Sequence, residues 1–200
     1  LYVLKELGPA DFEEIFGAGK IDEDLPRGRQ PVVATDVYQL SQRYIHDYQH
    51  IFDNSKSKSL LEGRKILIAS TDVHEHAIII IHELLSKAGA EIIYLGAEVN
   101  PDQIVSAACL NQVDAILIST HNGMALEYAN RLKEEFEKQN TKIPVVMGGI
   151  LNQKVEDKAL PIDVTPKLKE LGFYPCPKLE NRFNRLLESK IKKETNSEFD

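Results

Sequence analysis

Four short apolar runs rich in β-branched residues recur from Arg64 onward, and amphipathic segments separate them. The runs cover residues 65–69, 91–95, 115–119 and 144–147. Because nearly every position in them is apolar, they are typical of strands buried on both faces of a parallel sheet. The segments between them predict helices over residues 75–88, 101–111 and 124–139. This alternation predicts an α/β fold with a doubly wound parallel sheet.

The first 60 residues differ from the rest of the chain. Residues 8–31 contain four Gly and three Pro without a sustained period, which predicts an irregular arm. An aromatic-rich segment, residues 37–52, predicts a helix, and the Ser/Lys run at 55–59 predicts a linker. We therefore expect two parts, an extended and helical arm (residues 1–60) and an α/β domain (residues 61–200).

The end of the chain carries a weaker pattern. Residues 171–174 predict a short last strand, and residues 179–192 predict a closing helix. The chain begins with Leu1, which indicates a piece of a longer polypeptide or a trimmed sequence.

Composition excludes several classes of function. The net charge of −7 argues against a nucleic-acid or anionic-membrane surface. The longest purely apolar run, residues 77–81, is far shorter than the roughly 20 residues that span a bilayer. Charged residues interrupt the opening segment, so no signal peptide is expected. Two cysteines without CxxC spacing indicate no disulfide framework, and together these features predict a cytoplasmic protein.

Polar and glycine-containing loops follow three of the predicted strands. Thr71-Asp72-Val73-His74-Glu75-His76-Ala77 follows the first strand, Ser119-Thr120-His121-Asn122-Gly123 follows the third, and Gly148-Gly149 follows the fourth. In open α/β sheets, ligands bind outside the carboxyl ends of the strands, where the strand order reverses. The three loops therefore predict one ligand site at this edge.

These loops resemble the cobalamin-binding domain family that holds its cofactor base-off and His-on. That family carries Asp-x-His-x-x-Gly after the first strand, Ser-x-Leu after the third and Gly-Gly after the fourth. The matching residues are Asp72, His74, Ala77, Ser119, His121, Gly148 and Gly149. The resemblance covers about residues 63–175 and implies a Rossmann-like, flavodoxin-like domain. Ala77 stands where the family has Gly, and His121 stands where Leu is usual.

The resemblance implies a role for each matching position. His74 would be the lower ligand of cobalt, and Asp72 would accept a hydrogen bond from its other ring nitrogen. Ser119 would bind the displaced nucleotide tail, and Gly148 and Gly149 would let the backbone approach that tail. The remaining residues of the loops that we expect to border the cofactor are Glu75, His76, Ala77, Thr120 and His121. No residue is assigned a catalytic role, because the reactive chemistry belongs to the cofactor.

The resemblance favours a domain or subunit of an adenosylcobalamin-dependent mutase, which carries out a radical 1,2-rearrangement. A TIM barrel needs about 250 residues, so the substrate-binding barrel would be a partner domain or subunit. An oligomer is compatible with this interpretation, and whether the chain is itself an enzyme is left open.

Three alternatives stay open. The first is a corrinoid methyl-carrier protein holding methylcobalamin, although residues 1–60 contain one convincing helix rather than a helical cap. The second is a cobalamin-sensing or assembly module with a relaxed site. The third is a Zn²⁺ or Fe²⁺ site formed by His74, His76 and His121. His46 and His50 also have the i, i+4 spacing of a helical metal pair, but an exposed helix face is the simpler interpretation.

Overall fold

The computed structural model describes residues 35–52, 61–74, 76–156 and 158–178. The chain divides between Tyr44 and Ile45 into two units, and the second, residues 45–200, contains the sheet described below. This boundary lies within a helix, whereas the sequence pattern places it near residue 60. The predicted arm at 8–31, the linker at 55–59 and the closing helix at 179–192 lie outside the described residues.

Strands and helices alternate along the described part of the chain. In chain order they are α1 (Thr35–Phe52), β1 (Lys65–Ser70), α2 (His76–Lys87), β2 (Glu91–Tyr94), α3 (Pro101–Asn111), β3 (Ala115–Thr120), α4 (Ala125–Lys138), β4 (Val145–Gly149), β5 (Asn152–Gln153), β6 (Ile162–Asp163), α5 (Thr165–Glu170) and β7 (Tyr174–Cys176). Each of the four predicted strands and three predicted helices is present, with ends shifted by at most two residues.

Five strands form one parallel sheet in the order β2-β1-β3-β4-β7. The chain passes from β1 to β2 on one side and then returns to β3 on the other side, so the order reverses between β1 and β3. Such a reversal is where α/β sheets of this class bind ligands. The predicted doubly wound α/β fold of Rossmann type is therefore confirmed.

Apolar clusters cover both faces of the sheet. On one face, Ile116 packs with side chains of α3, α4 and α5, among them Ile104, Leu132 and Leu168. On the other face, Leu117 packs with α2 and with residues of α1 that belong to the second unit, such as Phe52. Adjacent residues of a strand point to opposite faces, so a strand covered on both sides must be apolar throughout.

Glycine and asparagine set the ends of two helices. Gly89 has a φ of +93° directly after α2, a conformation that L side chains rarely adopt. Before α3, the backbone N–H of Asn100 donates to Gln103 Oε1 over 3.0 Å, and Pro101 is the first helical residue. Both ends agree with the sequence-based prediction.

The structure differs from the predictions in three places. The last strand, β7, begins at Tyr174 rather than at residue 171, because α5 runs to Glu170 and a turn with Gly172 at φ +91° follows it. The antiparallel pair β5–β6 was not predicted. Ile79 is 52% exposed, although the apolar run at residues 77–81 favours burial of the helix face that contains it. None of the described helices combines the length and the apolar character needed to cross a bilayer.

Candidate functional site

A buried carboxylate connects the loops that follow β1 and β3. The Asp72 side chain is only 9% exposed, and its Oδ1 lies 2.7 Å from His74 Nδ1. Oδ1 also accepts the backbone N–H of His74 over 2.9 Å, and Oδ2 accepts the backbone N–H of His121 over 2.6 Å. Asp72 therefore fixes one histidine from each loop.

The hydrogen bonds keep the Asp72 carboxylate ionised. Burial by itself raises its pKa, but the bonds from His74 and from the His121 backbone, together with the His121 ring, outweigh burial. The pKa of Asp72 is therefore held below its ordinary value of 3.8. An ionised carboxylate at Nδ1 favours the His74 tautomer with a proton on Nδ1 and a lone pair on Nε2.

The His74 ring is open to solvent. Its side chain is 63% exposed, although Asp72 holds it on one side. Its backbone carbonyl accepts the Ser70 hydroxyl over 3.2 Å, which connects the loop to the end of β1. The arrangement presents a positioned imidazole nitrogen toward the carboxyl edge of the sheet, and such a nitrogen can bind a metal.

The His121 ring lies between His74 and Gly149. The centroids of the two imidazole rings are 5.5 Å apart and the rings are tilted by 45°. Burial lowers the pKa of His121 below 6.5, against the opposing influence of the Asp72 carboxylate. Its Nδ1 is buried without a hydrogen-bond partner among the described residues.

Two glycines bring neighbouring strands close together at this edge. Gly149 has a φ of +91°, and a Cβ atom there would collide with the Thr120 carbonyl oxygen and lie 2.9 Å from His121 Cε1. A Cβ at Gly148 would lie 3.0 Å from the Cys176 carbonyl oxygen. Within the protein, glycine at both positions allows a close approach of neighbouring backbone, whereas the predicted approach to a nucleotide tail stays a prediction.

Ser70 and Ser119 are partners in the register of β1 and β3, but only one of them has a partner for its hydroxyl. The Ser70 hydroxyl reaches the His74 carbonyl. Ser119 Oγ is buried and makes no hydrogen bond within the part of the chain that the structure describes. A buried hydroxyl without a partner is costly, so Ser119 is a candidate for binding a ligand group.

The other predicted site residues are placed less completely. Ala77 is half-buried in the first turn of α2, and Thr120 is fully buried at the end of β3. Glu75 and the His76 side chain lie outside the described residues, so their roles stay predictions. His46 is exposed on α1, as expected for a solvated helix face.

Sequence reasoning missed Asn152 of β5. Its Oδ1 is buried without a partner in the described structure, and it lies 3.8 Å from where a Cβ of Gly123 would be. Because β5 contains only two residues, no periodic pattern pointed to it.

Comparisons with known proteins identify the family of this domain. The family model of the B12 binding domain matches residues 66–165. Glutamate mutase sigma subunit 1 of Haloarcula marismortui is 32% identical over 84 residues, which cover 42% of this chain and 56% of the relative. The match thus spans little more than half of that relative's length.

A solved structure has the same fold. It is a novel cobalamin-binding protein from Desulfitobacterium hafniense DCB-2, with a TM-score of 0.51 and 15% sequence identity over 78% of this chain and 69% of that one. The matched family segment contains β1, β3 and β4 with the loops that hold Asp72, His74 and the two glycines. The chain therefore belongs to the family of B12-binding domains.

Proposed function

We propose that this chain is the cobalamin-holding domain or subunit of an adenosylcobalamin-dependent mutase, with His74 as the lower ligand of cobalt. The observation that carries the proposal is the contact of 2.7 Å between His74 Nδ1 and Asp72 Oδ1, combined with the exposure of the rest of the ring. A ligating histidine commonly donates its other ring N–H to a carboxylate, which fixes its orientation and raises its basicity.

The residues around His74 fit the nucleotide tail of the cofactor. Ser119 Oγ is a buried polar atom that finds no partner in the described part of the chain, as expected of a group that binds ligand. Beside it, Gly148 and Gly149 carry no side chain, and a Cβ at either position would press against the Cys176 or the Thr120 carbonyl oxygen. We assign these three residues to the tail, and His121 to its border.

Exposed apolar side chains follow the same three strands and favour a flat ligand or a partner that covers the site. Val73, Met124 and Ile150 follow β1, β3 and β4, respectively, and all three are exposed. Large apolar side chains at one edge mark a surface that is covered in the functional state. The macrocycle and the partner subunit would together cover these three side chains.

The chain requires a partner for its chemistry. Bound adenosylcobalamin supplies a radical by homolysis of its cobalt–carbon bond, and this chain's residues hold and orient it. The similar protein in Haloarcula marismortui is named as a subunit of glutamate mutase, which supports a separate chain with the substrate site. We propose residues 61–200 as the cofactor domain and residues 1–60 as the region that contacts that partner.

The test replaces His74 by alanine and compares the cobalamin absorption spectrum with that of the wild type. Wild-type protein is expected to bind cobalamin base-off with a histidine ligand, and His74→Ala is expected to lose the histidine-ligated spectrum. Affinity should fall about 10- to 100-fold, as for the loss of groups at metal sites. His82→Ala is the matched control, because this histidine of α2 contacts Tyr94 instead.

Two outcomes would contradict the proposal. The first is wild-type protein that binds no cobalamin, and the second is a histidine-ligated spectrum that survives in His74→Ala. Retention of methylcobalamin with methyl transfer to a partner would favour the methyl carrier instead. Binding of cobalamin without activity in any partner complex would favour the sensing module.

A further inference from the structure

Three side chains of the types that ligate metals converge at the carboxyl edge of the sheet. Asp72, His74 and His121 each offer an oxygen or nitrogen atom, and these atoms all lie within 4.8 Å of one another. We propose that the cobalamin-free chain binds one Zn²⁺ ion at Asp72, His74 and His121.

The chemistry of the three groups fits a divalent transition metal. Imidazole nitrogens and carboxylate oxygens are usual ligands of Zn²⁺, and three protein ligands with an open fourth position form a common zinc geometry. The Asp72 carboxylate contributes one negative charge, and the exposed His74 ring leaves room for water to complete the coordination.

His121 is the fixed member of the cluster. Its backbone N–H is bonded to Asp72 Oδ2, and its ring lies against Gly149. Its buried Nδ1 has no partner among the described residues, so a bound ion would satisfy an atom that is otherwise left without one.

Asp72 can take part without losing its backbone contacts, whereas His74 must give up one hydrogen bond. A carboxylate has about four lone-pair sites, so Asp72 can accept its N–H bonds and still coordinate an ion. His74 would exchange its 2.7 Å contact with Asp72 Oδ1 for the ion, because ligand atoms at about 2.0–2.2 Å from one Zn²⁺ lie closer together than Asp72 Oδ1 and the far ring nitrogen do in this contact. Because His74 is largely exposed, its ring can turn toward His121 at little steric cost.

The proposal has a consequence that rests on the proposed function. If His74 ligates cobalt, the ion and cobalamin cannot be bound at the same time, because both need the same imidazole. The third ligand is His121, which stands where the cobalamin-binding family usually has leucine. Competition by Zn²⁺ would therefore be particular to chains that carry a histidine here.

The test titrates the full chain, freed of cobalamin and metal, with Zn²⁺ by isothermal calorimetry and with Co²⁺ by visible absorption. One ion is expected to bind per chain. The variant His121→Leu removes one ligand and should weaken Zn²⁺ binding by about tenfold or more, since the loss of a group that only supports a metal ligand already lowers metal affinity by about tenfold. His74→Ala changes an exposed side chain, so this variant should fold even if His121→Leu does not. Its affinity for Zn²⁺ should fall about as much as that expected for His121→Leu.

The control is the double variant His46→Ala/His50→Ala, which removes the histidine pair of α1. It should bind Zn²⁺ as the wild type does. Adding cobalamin to the zinc-loaded wild type should release the ion, as detected with a colorimetric chelator. Absence of saturable binding, unchanged affinity in both site variants, or loss of binding only in the α1 variant would overturn the proposal. Failure of the proposed function would appear differently, as zinc binding without any cobalamin binding.

Discussion

The middle of β3 and its carboxyl end are equally buried but chemically opposite. Ile116, Leu117 and Ile118 are apolar and covered on both faces, whereas Ser119 and Thr120 are polar and just as inaccessible. The middle contributes stability through burial, while the end holds a hydroxyl without a partner among the described residues. Under the proposed function, the difference teaches that a single strand divides folding and ligand binding between its middle and its end.

The largest effect on stability should come from the middle of β3. Ile116→Ala removes a fully buried side chain and is expected to lower the free energy of unfolding by about 2–5 kcal/mol. Urea unfolding monitored by circular dichroism measures the change. Leu110→Ala is the control, because this side chain is 84% exposed and its truncation should matter little. An equal loss of unfolding free energy in the two variants would contradict the view that burial in the middle of β3 stabilises the fold.

The second effect concerns Gly149, where the carboxyl edge does contribute to stability. Gly149→Ala meets both a positive φ and a collision with the Thr120 carbonyl oxygen. Gly172→Ala shares the φ of +91°, but no atom of the described residues lies within 4 Å of the new Cβ. The first variant should therefore unfold more easily than the second by about 1–3 kcal/mol in the same urea assay. If the two variants were equally stable, the positive φ alone, without the collision at Thr120, would account for the requirement for glycine.

The third effect depends on pH and tests the Asp72 carboxylate. Asp72→Asn should lower the free energy of unfolding by about 1–2 kcal/mol near neutral pH, because one of two buried N–H groups loses its acceptor. Since the folded-state pKa lies below 3.8, the ionised carboxylate stabilises the fold above that value, and this contribution is lost as pH falls through the folded-state pKa. The difference between wild type and variant should therefore narrow in acid. Urea midpoints from about pH 7 to about pH 3 measure it, and a pH-independent gap would contradict this account.

The smallest effect on stability is expected at Ser119. Ser119→Ala should leave the free energy of unfolding unchanged or raise it slightly, because its hydroxyl has no partner to lose in the described structure. The same variant should weaken cobalamin binding by about two- to tenfold. Ser70→Ala is the control, since the Ser70 hydroxyl bonds to the His74 carbonyl and its loss should destabilise the fold by about 1 kcal/mol. Equal costs for the two serines would refute the distinction between them.

The sheet could be predicted because its strands are apolar throughout and its helices are amphipathic. Both signals are local, so they can be read without knowing which strands and helices pack together. The β5–β6 pair could not be predicted, because two residues are too few to show a period. The late start of β7 has a different cause, since Leu171 and Phe173 pack against the core from the turn between α5 and β7, and their apolar character resembles that of a strand.

The candidate site could be predicted in part. Asp72 and His74 are two residues apart, so their contact follows from a local motif. The bond from the His121 backbone to Asp72 joins residues 49 positions apart and depends on the register that pairs Ser70 with Ser119. Strands that are apolar on both faces specify register weakly in sequence, so this contact could not be derived before the structure.

Ser119 and His121 each hold a buried polar atom that has no partner within the described structure, and this has a consequence for the abundance of the chain. A ligand that binds only the folded state stabilises it in proportion to the logarithm of its concentration. The empty domain should therefore unfold and be degraded more often than the loaded one. Vitamin supply would then set the steady-state level of this polypeptide through proteolysis, without any change in its synthesis.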